Sequence, residues 1–95
     1  MKKMTPVKAF HYVYVLQNIY GDFYAGCTSD LKKRYSEHMN GLSKYTKSRG
    51  PYKLIYYEAC LDKNDAFKRE KYLKTGMGKR YIKNRLKVNL EALTG

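Results

Sequence analysis

Four side chains that suit phosphate chemistry lie close together in the first half of the chain. Tyr14 and Tyr24 flank a turn-forming segment, and Arg34 and His38 follow it. A guanidinium group binds two phosphate oxygens at once and stays charged. An imidazole exchanges protons near neutral pH, and a phenol donates or accepts a hydrogen bond. A surface on which these four groups converge would suit the transfer or hydrolysis of a phosphoryl group.

A hairpin is predicted to place the two tyrosines. Residues 12–16 and 23–27 are rich in aromatic and β-branched side chains, which favour strands. Gly21 between them allows a tight turn. Tyr14 and Tyr24 lie about equally far from that turn, so we expect them nearly opposite each other, with both hydroxyls on one surface.

A helix over about residues 30–40 is predicted to place the two basic side chains. Its first turn has three candidate caps: Thr28, Ser29 or Asp30. By their spacing, four of its residues share one face: Leu31, Arg34, Tyr35 and His38. A buried cation is costly without a partner, so Arg34 indicates function rather than packing. For His38, support of a tyrosine hydroxyl is an alternative to a direct role.

The remaining chain completes a small α+β domain. A third strand is predicted over residues 53–59, in which residues 54–57 form a nearly continuous apolar run that favours a central strand. Helices are predicted over about residues 65–75, capped by Asp62 or Asn64 and ended by Gly76, and over about residues 79–93. The order β-β-α-β-α-α predicts a three-stranded, mainly antiparallel sheet flanked by helices. One domain is expected over residues 1–95, with its core at about 11–87.

One carboxylate stands out in the second half. Glu70 falls at helical spacing with three apolar residues, namely Ala66, Phe67 and Leu73. A carboxylate is seldom buried without a cation or a metal ion. From the residues alone, an ion pair with Arg34 or a nearby lysine explains Glu70 as well as metal binding does. Glu58, at the end of the third strand, is the second candidate.

These residues resemble the GIY-YIG nuclease family. Its two signatures read here as Tyr12-Val13-Tyr14 and Tyr24-Ala25-Gly26, and Arg34 and His38 follow in order. Tyr12 replaces the first glycine, and Ala25 replaces the central isoleucine of the second signature. Some relatives carry a lysine at the position of Cys27, and many carry an asparagine downstream of the glutamate, for which the candidates are Asn84 and Asn89. The resemblance spans residues 12–86 and is to a small, single-domain member, similar to the N-terminal domain of the excision-repair nuclease subunit.

The resemblance implies a metal-dependent endonuclease that hydrolyses DNA phosphodiester bonds. It implies a site formed by Tyr14, Tyr24, Arg34, His38 and Glu70, with Glu70 as the ligand of Mg²⁺ or Mn²⁺. In such a site Tyr14 acts as a general base or orients the attacking water, and Arg34 stabilises the pentavalent transition state. A phenol has an ordinary pKa of about 10, so catalysis by Tyr14 as a base requires Arg34 and the metal to lower it.

The charge of the chain indicates a polyanionic partner. Lysine and arginine number 20 against 8 acidic residues, for a formal net charge of +12. Residues 42–51 form a predicted loop of basic, hydroxyl and aromatic groups, which suits phosphate contacts or a stacking surface, although an ordinary solvated loop would look the same. The predicted DNA-binding residues are Lys33, Lys44, Tyr45, Lys47 and Arg49. A nucleic-acid-binding module without catalytic activity is the alternative function.

The remaining features concern cellular context. Cys27 and Cys60 are too few for a disulfide framework and lack metal-ligand spacing. No apolar run is long enough to span a bilayer, and no secretory signal is evident, so a cytoplasmic protein is expected. Because nearly the whole chain is accounted for by one domain, we expect cleavage to be non-specific or selective for branched or single-stranded DNA, or to be targeted by a protein partner.

Overall fold

The computed structural model describes residues 9–41 and 50–94. Its elements follow in the order β1 (His11–Asn18), β2 (Phe23–Thr28), α1 (Leu31–Met39), β3 (Tyr52–Cys60), α2 (Lys63–Leu73), α3 (Gly76–Arg85) and α4 (Lys87–Thr94). The three strands form one sheet, in which both pairs are antiparallel. The predicted α+β class and the predicted sheet are therefore confirmed.

The first strand, and not the third, lies in the centre of the sheet. The strand order is β2-β1-β3, and the side chains of residues 13–16 of β1 are almost completely buried. The prediction that the third strand is central was wrong. Tyr57 of β3 is 54% exposed, because β3 is an edge strand that the helices cover only in part. A run of apolar and aromatic residues does not by itself distinguish an edge strand from a central one.

Helices cover both faces of the sheet. On one face α2 and α3 form a core with alternate residues of β1, and the buried members of this core are Val13, Val15, Ala25, Ala66, Leu73 and Ile82. On the other face α1 packs over a second cluster, which contains Tyr14, Leu16, Tyr24, Leu31, Tyr35, Tyr52 and Leu54. Successive strand residues point to opposite faces, so the two tyrosines of the hairpin lie on the α1 side.

The helix boundaries follow their caps. The Asp30 side chain accepts a hydrogen bond from the backbone N–H of Lys33 at 3.1 Å, and Asp62 accepts one from Asn64 at 2.7 Å. Both residues were among the predicted caps. Gly76 was predicted to end α2, but it is the first residue of α3, because the Thr75 hydroxyl caps this next helix.

The predicted helix over residues 79–93 is divided into α3 and α4. The break falls at Leu86, whose φ of −106° and ψ of 24° leave the helical region. Leu86 still packs against the core beside Ile82. The four-residue spacing of the apolar residues is the same in one long helix and in two consecutive short ones. Without a glycine or proline at the break, the sequence gives no sign of it.

None of the helices within the described ranges combines the length and the apolar character that crossing a membrane requires.

Candidate active site

The hairpin places Tyr14 and Tyr24 on the same face, two residue pairs apart. Tyr14 lies opposite Gly26, and Tyr24 lies opposite Leu16. The prediction of a shared surface is therefore confirmed, but the expectation that the two tyrosines lie nearly opposite each other was wrong by two residues. The turn between the strands begins at Asn18, whose side-chain oxygen accepts backbone hydrogen bonds from Tyr20 and Asp22 at 3.0 and 2.8 Å.

Gly26 makes room for the ring of Tyr14. A Cβ atom at this position would overlap the hydroxyl oxygen and Cζ of Tyr14 and would lie 2.9 Å from Cε2. The ring of the central-strand tyrosine therefore crosses over the backbone of the edge strand. This contact explains why a glycine follows Tyr24-Ala25 in the second signature.

Helix α1 brings His38 onto the two tyrosines. The Tyr14 hydroxyl and His38 Nε2 are hydrogen-bonded at 2.8 Å. The imidazole ring also contacts the rings of Tyr14 and Tyr24 edge to face, with centroids 5.6 and 5.3 Å apart. Tyr14 is 2% exposed and His38 is 5% exposed, so this hydrogen bond is held in a fixed, mostly dry environment.

Burial keeps the hydroxyl of Tyr14 protonated in the free protein. Desolvation raises the pKa of Tyr14 to about 12 and outweighs the hydrogen bond from Arg34, which acts in the opposite direction. Arg34 thus lowers this pKa as expected, but not by enough to bring it below its ordinary value. Tyr14 is a neutral phenol that donates or accepts a hydrogen bond.

His38 is also neutral near pH 7. Burial lowers the pKa of its imidazole, and the positive charge of Arg34 lowers it further. Two tautomers satisfy the contact with Tyr14: one accepts the hydroxyl proton at Nε2, and the other donates N–H to the phenol oxygen. A neutral imidazole with an accepting Nε2 has the capacity to take a proton from Tyr14.

Arg34 provides the fixed positive charge of the site. Its hydrogen bond to Tyr14 raises the pKa of the guanidinium, so the side chain stays ionised. The carboxylate of Glu37, one turn on, lies 3.6 Å from Arg34 Nη1. Both side chains of this pair are partly exposed, so the guanidinium is accessible to a phosphate group while its orientation is restricted.

Glu70 lies on α2, which packs on the other face of the sheet. Its negative charge contributes to the raised pKa of Cys27, behind burial, and is also felt at Tyr14. Its side chain is 20% exposed and pairs with Lys74 Nζ at 2.9 Å. Of the alternatives left open by the sequence, the ion pair with a nearby lysine is therefore present in this form of the protein.

Glu58, the second candidate carboxylate, is fully engaged elsewhere. It accepts two hydrogen bonds from Arg69 Nε at 2.9 and 3.1 Å, one from Arg69 Nη2 at 2.8 Å and one from the Tyr56 hydroxyl at 2.8 Å. Burial alone would raise the pKa of Glu58, but these bonds lower it. Arg69 also lies over the rings of Tyr72 and Tyr81. This network fastens α2 to β3, and sequence reasoning missed it.

Glu70 is the carboxylate that the family resemblance implies as the ligand of a metal ion. Nowhere in residues 9–41 and 50–94 do three or more His, Cys, Asp or Glu side chains form a metal-binding cluster. Mg²⁺ is commonly bound by one or two carboxylates, with water and phosphate oxygens as the other ligands. A single carboxylate is compatible with that mode.

The other predicted DNA-binding residues and the two candidate asparagines are exposed or lie outside the described residues. Lys33 is exposed on α1. Lys44, Tyr45, Lys47 and Arg49 lie outside the described residues. Asn84 and Asn89 are both exposed. Cys27 and Cys60 are free thiols, as expected.

Neither departure from the signatures belongs to the polar cluster, which is formed by Tyr14, Tyr24, Arg34 and His38. Ala25 is buried on the face covered by α2 and α3. The ring of Tyr12 packs edge to face on Tyr57, with centroids 6.0 Å apart, on the β3 side of the sheet. Neither residue displaces Tyr14, Tyr24 or Gly26.

The three-stranded sheet with its flanking helices has a nuclease fold. The family model described as the GIY-YIG catalytic domain matches residues 10–86, so the chain belongs to the GIY-YIG family. A UPF0213 protein of Clostridium perfringens is 45% identical over 65 residues, which cover 67% of this chain and 70% of that protein. A UPF0213 protein of Staphylococcus saprophyticus is 42% identical over 66 residues, covering 68% and 80%. The solution NMR structure of a UPF0213 protein from Bacillus halodurans is similar, with 34% identity, a TM-score of 0.50 and coverage of 77% and 81%.

Proposed function

We propose that the protein is a divalent-metal-dependent endonuclease that hydrolyses phosphodiester bonds in DNA. The observation that carries the proposal is the hydrogen bond between the Tyr14 hydroxyl and His38 Nε2 at 2.8 Å, next to Arg34 and within electrostatic range of Glu70. A buried phenol–imidazole pair beside a fixed cation supplies a proton acceptor and an anion-binding group at one place.

Arg34 and Tyr24 would bind the scissile phosphate. The guanidinium of Arg34 donates to two non-bridging oxygens and stabilises the additional negative charge of the pentavalent transition state. Tyr24 lies beside His38 on the same face, and its hydroxyl would orient the phosphate group or its neighbour. The chemistry thus takes place on the α1 side of the hairpin.

The pair formed by Tyr14 and His38 would move the proton of the attacking water. As the water oxygen bonds to phosphorus, its proton passes to the Tyr14 oxygen while the phenol proton passes to His38 Nε2. Tyr14 is neutral before and after this step, which is consistent with its pKa of about 12. The bond from phosphorus to the 3′ oxygen breaks, and the imidazolium returns its proton through water to that oxygen.

Glu70 would hold the divalent cation. When bound, Mg²⁺ or Mn²⁺ supplies a Lewis acid that polarises phosphoryl oxygens and stabilises the leaving oxygen. Because Lys74 occupies the carboxylate in the free protein, we expect the cation and the ammonium group to compete for Glu70. The cleavage would be non-specific or selective for DNA structure, in the cytoplasm, with any finer targeting supplied by a protein partner.

The test is cleavage of labelled single-stranded, duplex, flap and four-way-junction DNA with Mg²⁺, Mn²⁺ or EDTA. We expect metal-dependent cuts that Tyr14→Phe and Glu70→Gln reduce by about 10²-fold or more. The matched controls are Tyr20→Phe, on a hairpin-turn residue that is 72% exposed, and Asp65→Asn, on an exposed residue of the first turn of α2. Both controls should cut at the wild-type rate.

The result that contradicts the proposal is DNA that shifts in a gel but stays uncut in every metal. That outcome would favour the nucleic-acid-binding module. In that case Glu70→Gln would bind DNA as well as the wild type, or slightly better, because one negative charge is removed.

A further inference from the structure

A groove beside the candidate site crosses the free edge of β2. Its volume is about 550 Å³, and three aromatic residues line it, namely Phe23, Tyr24 and Tyr52. The rings of Tyr24 and Tyr52 meet edge to face, with centroids 6.4 Å apart. Because Tyr24 also touches the ring of His38, the groove begins at the polar cluster and leads away from it.

Two lysines of α3 form the other wall. Lys79 and Lys83 are one helical turn apart and line the same groove, and both are exposed. Among the described residues, no carboxylate forms an ion pair with either of them. The acidic residue lining the groove, Asp22, lies at the hairpin end and accepts a hydrogen bond from the Asn18 amide at 3.1 Å. The side nearest the site is therefore positively charged.

A smaller cavity continues this surface towards Glu70. It has a volume of about 190 Å³ and shares Tyr24 and Lys79 with the groove, while Lys74 lines it as well. Lys74 is the residue that pairs with Glu70. Lys74, Lys79 and Lys83 thus line two cavities that share residues beside β2, and the first of these lysines pairs with the candidate metal ligand.

We propose that this groove binds the DNA strand next to the scissile phosphate, with Lys79 and Lys83 as ligands of consecutive backbone phosphates. The inference rests on the proposed nuclease function and extends it by assigning a DNA-binding surface on α3. Exposed lysines one turn apart suit phosphates because they neutralise charge without a fixed geometry. The aromatic wall opposite them offers apolar surface to sugars or bases.

The test compares two double variants that lose the same charge. Lys79→Ala/Lys83→Ala removes the lysines of the groove, and Lys68→Ala/Lys71→Ala removes two exposed lysines of α2 that do not line it. DNA binding is measured by fluorescence anisotropy in EDTA, so that no strand is cut, over a range of NaCl concentrations. The slope of log K against log salt should decrease in magnitude by about 1 for each groove lysine. The control double should change it by less than half as much.

Charge-conserving substitution separates phosphate binding from a structural effect. Lys79→Arg/Lys83→Arg should keep the wild-type slope, and circular dichroism should show that all three doubles are folded. Equal losses of slope in the groove and control doubles would overturn the inference, as would a failure of the arginine double to bind like the wild type.

The same proteins separate this inference from the proposed function. Wild-type protein that binds through the groove and yet cuts no DNA with Mg²⁺ or Mn²⁺ would overturn the nuclease proposal alone. Metal-dependent cutting with binding that does not depend on Lys79 and Lys83 would overturn the groove alone. Wild-type protein without affinity for DNA would overturn both.

Discussion

At the scale of single residues, the close contact between Gly26 and Tyr14 leaves no space for a side chain at position 26. We predict that Gly26→Ala displaces the tyrosine ring, because the added methyl group would overlap its hydroxyl end and the buried ring has little room to move. The expected cost is about 1–3 kcal/mol of unfolding free energy, together with loss of the hydrogen bond to His38. Urea denaturation and DNA cleavage measure the two effects.

Gly76→Ala is the matched control for this substitution. A Cβ atom at Gly76 meets nothing within 4 Å, so the variant should be as stable as the wild type or slightly more stable, since alanine favours a helix. If both alanine variants are equally stable and equally active, the Tyr14 ring does not depend on the glycine.

The lowered pKa of His38 predicts that the unfolding free energy depends on pH. Its pKa in the folded protein is lowered, so the unfolded chain takes up this proton first as the pH falls below about 6.5. The stabilisation is therefore complete above the unfolded pKa and is lost as the pH falls through the lower, folded pKa. Urea denaturation at a series of pH values should show this loss in the wild type and in His11→Gln. His38→Gln should show a smaller loss, and an unchanged loss would mean that His38 titrates as it does in the unfolded chain.

At the scale of the elements, the link between Glu58 and Arg69 fastens α2 to β3. Removing one member leaves a partly buried charge without its partner, and we expect Arg69→Met to lower the unfolding free energy by about 2 kcal/mol, below the range for fully buried pairs. Lys68→Met, on an exposed neighbour in the same helix, should change it little. Thermal unfolding of the two variants checks this, and equal melting temperatures would show that the link adds no stability.

The sequence predicted the elements better than their mutual arrangement. The strands, the helices and the caps at Asp30 and Asp62 follow from local side-chain chemistry. The position of Tyr24 two residue pairs away from Tyr14 depends on the length of the turn, and the central place of β1 depends on how three strands assemble. Arg69 bonds to Glu58, and Lys79 and Lys83 line one groove with Tyr24. These arrangements join elements that are distant in sequence, so no local pattern predicts them.

For the candidate site, the family resemblance indicated that Glu70 belongs with the other residues, which residue spacing did not. Spacing on α1 placed Arg34 and His38 on one face, and strand alternation placed both tyrosines on the surface that this helix covers. Glu70 lies on α2, on the opposite side of the sheet from α1. The periodicity of α2 does not indicate which strand residues this helix packs against. Only the family motif connects Glu70 with Tyr14 in the sequence.

At the scale of the whole molecule, the net charge of +12 should make salt act in opposite directions on folding and on DNA binding. Like charges repel one another in the compact state, and the screening length falls from about 30 Å at 0.01 M salt to about 8 Å at physiological ionic strength. We therefore expect the melting temperature to rise as NaCl is added over this range. DNA affinity should fall over the same range, because binding releases counterions from the phosphates.

Both quantities are measurable on one preparation, by thermal unfolding without DNA and by anisotropy with DNA in EDTA. With 8 acidic residues against 20 basic ones, most of the positive charges have no acidic partner, so repulsion should outweigh the few ion pairs that salt weakens. A melting temperature that falls with added salt would contradict this and would mean that pairs such as Glu58 with Arg69 dominate the electrostatics of folding. An affinity independent of salt would mean that DNA is not held through its phosphates, which would remove the physical basis for the lysine groove as well.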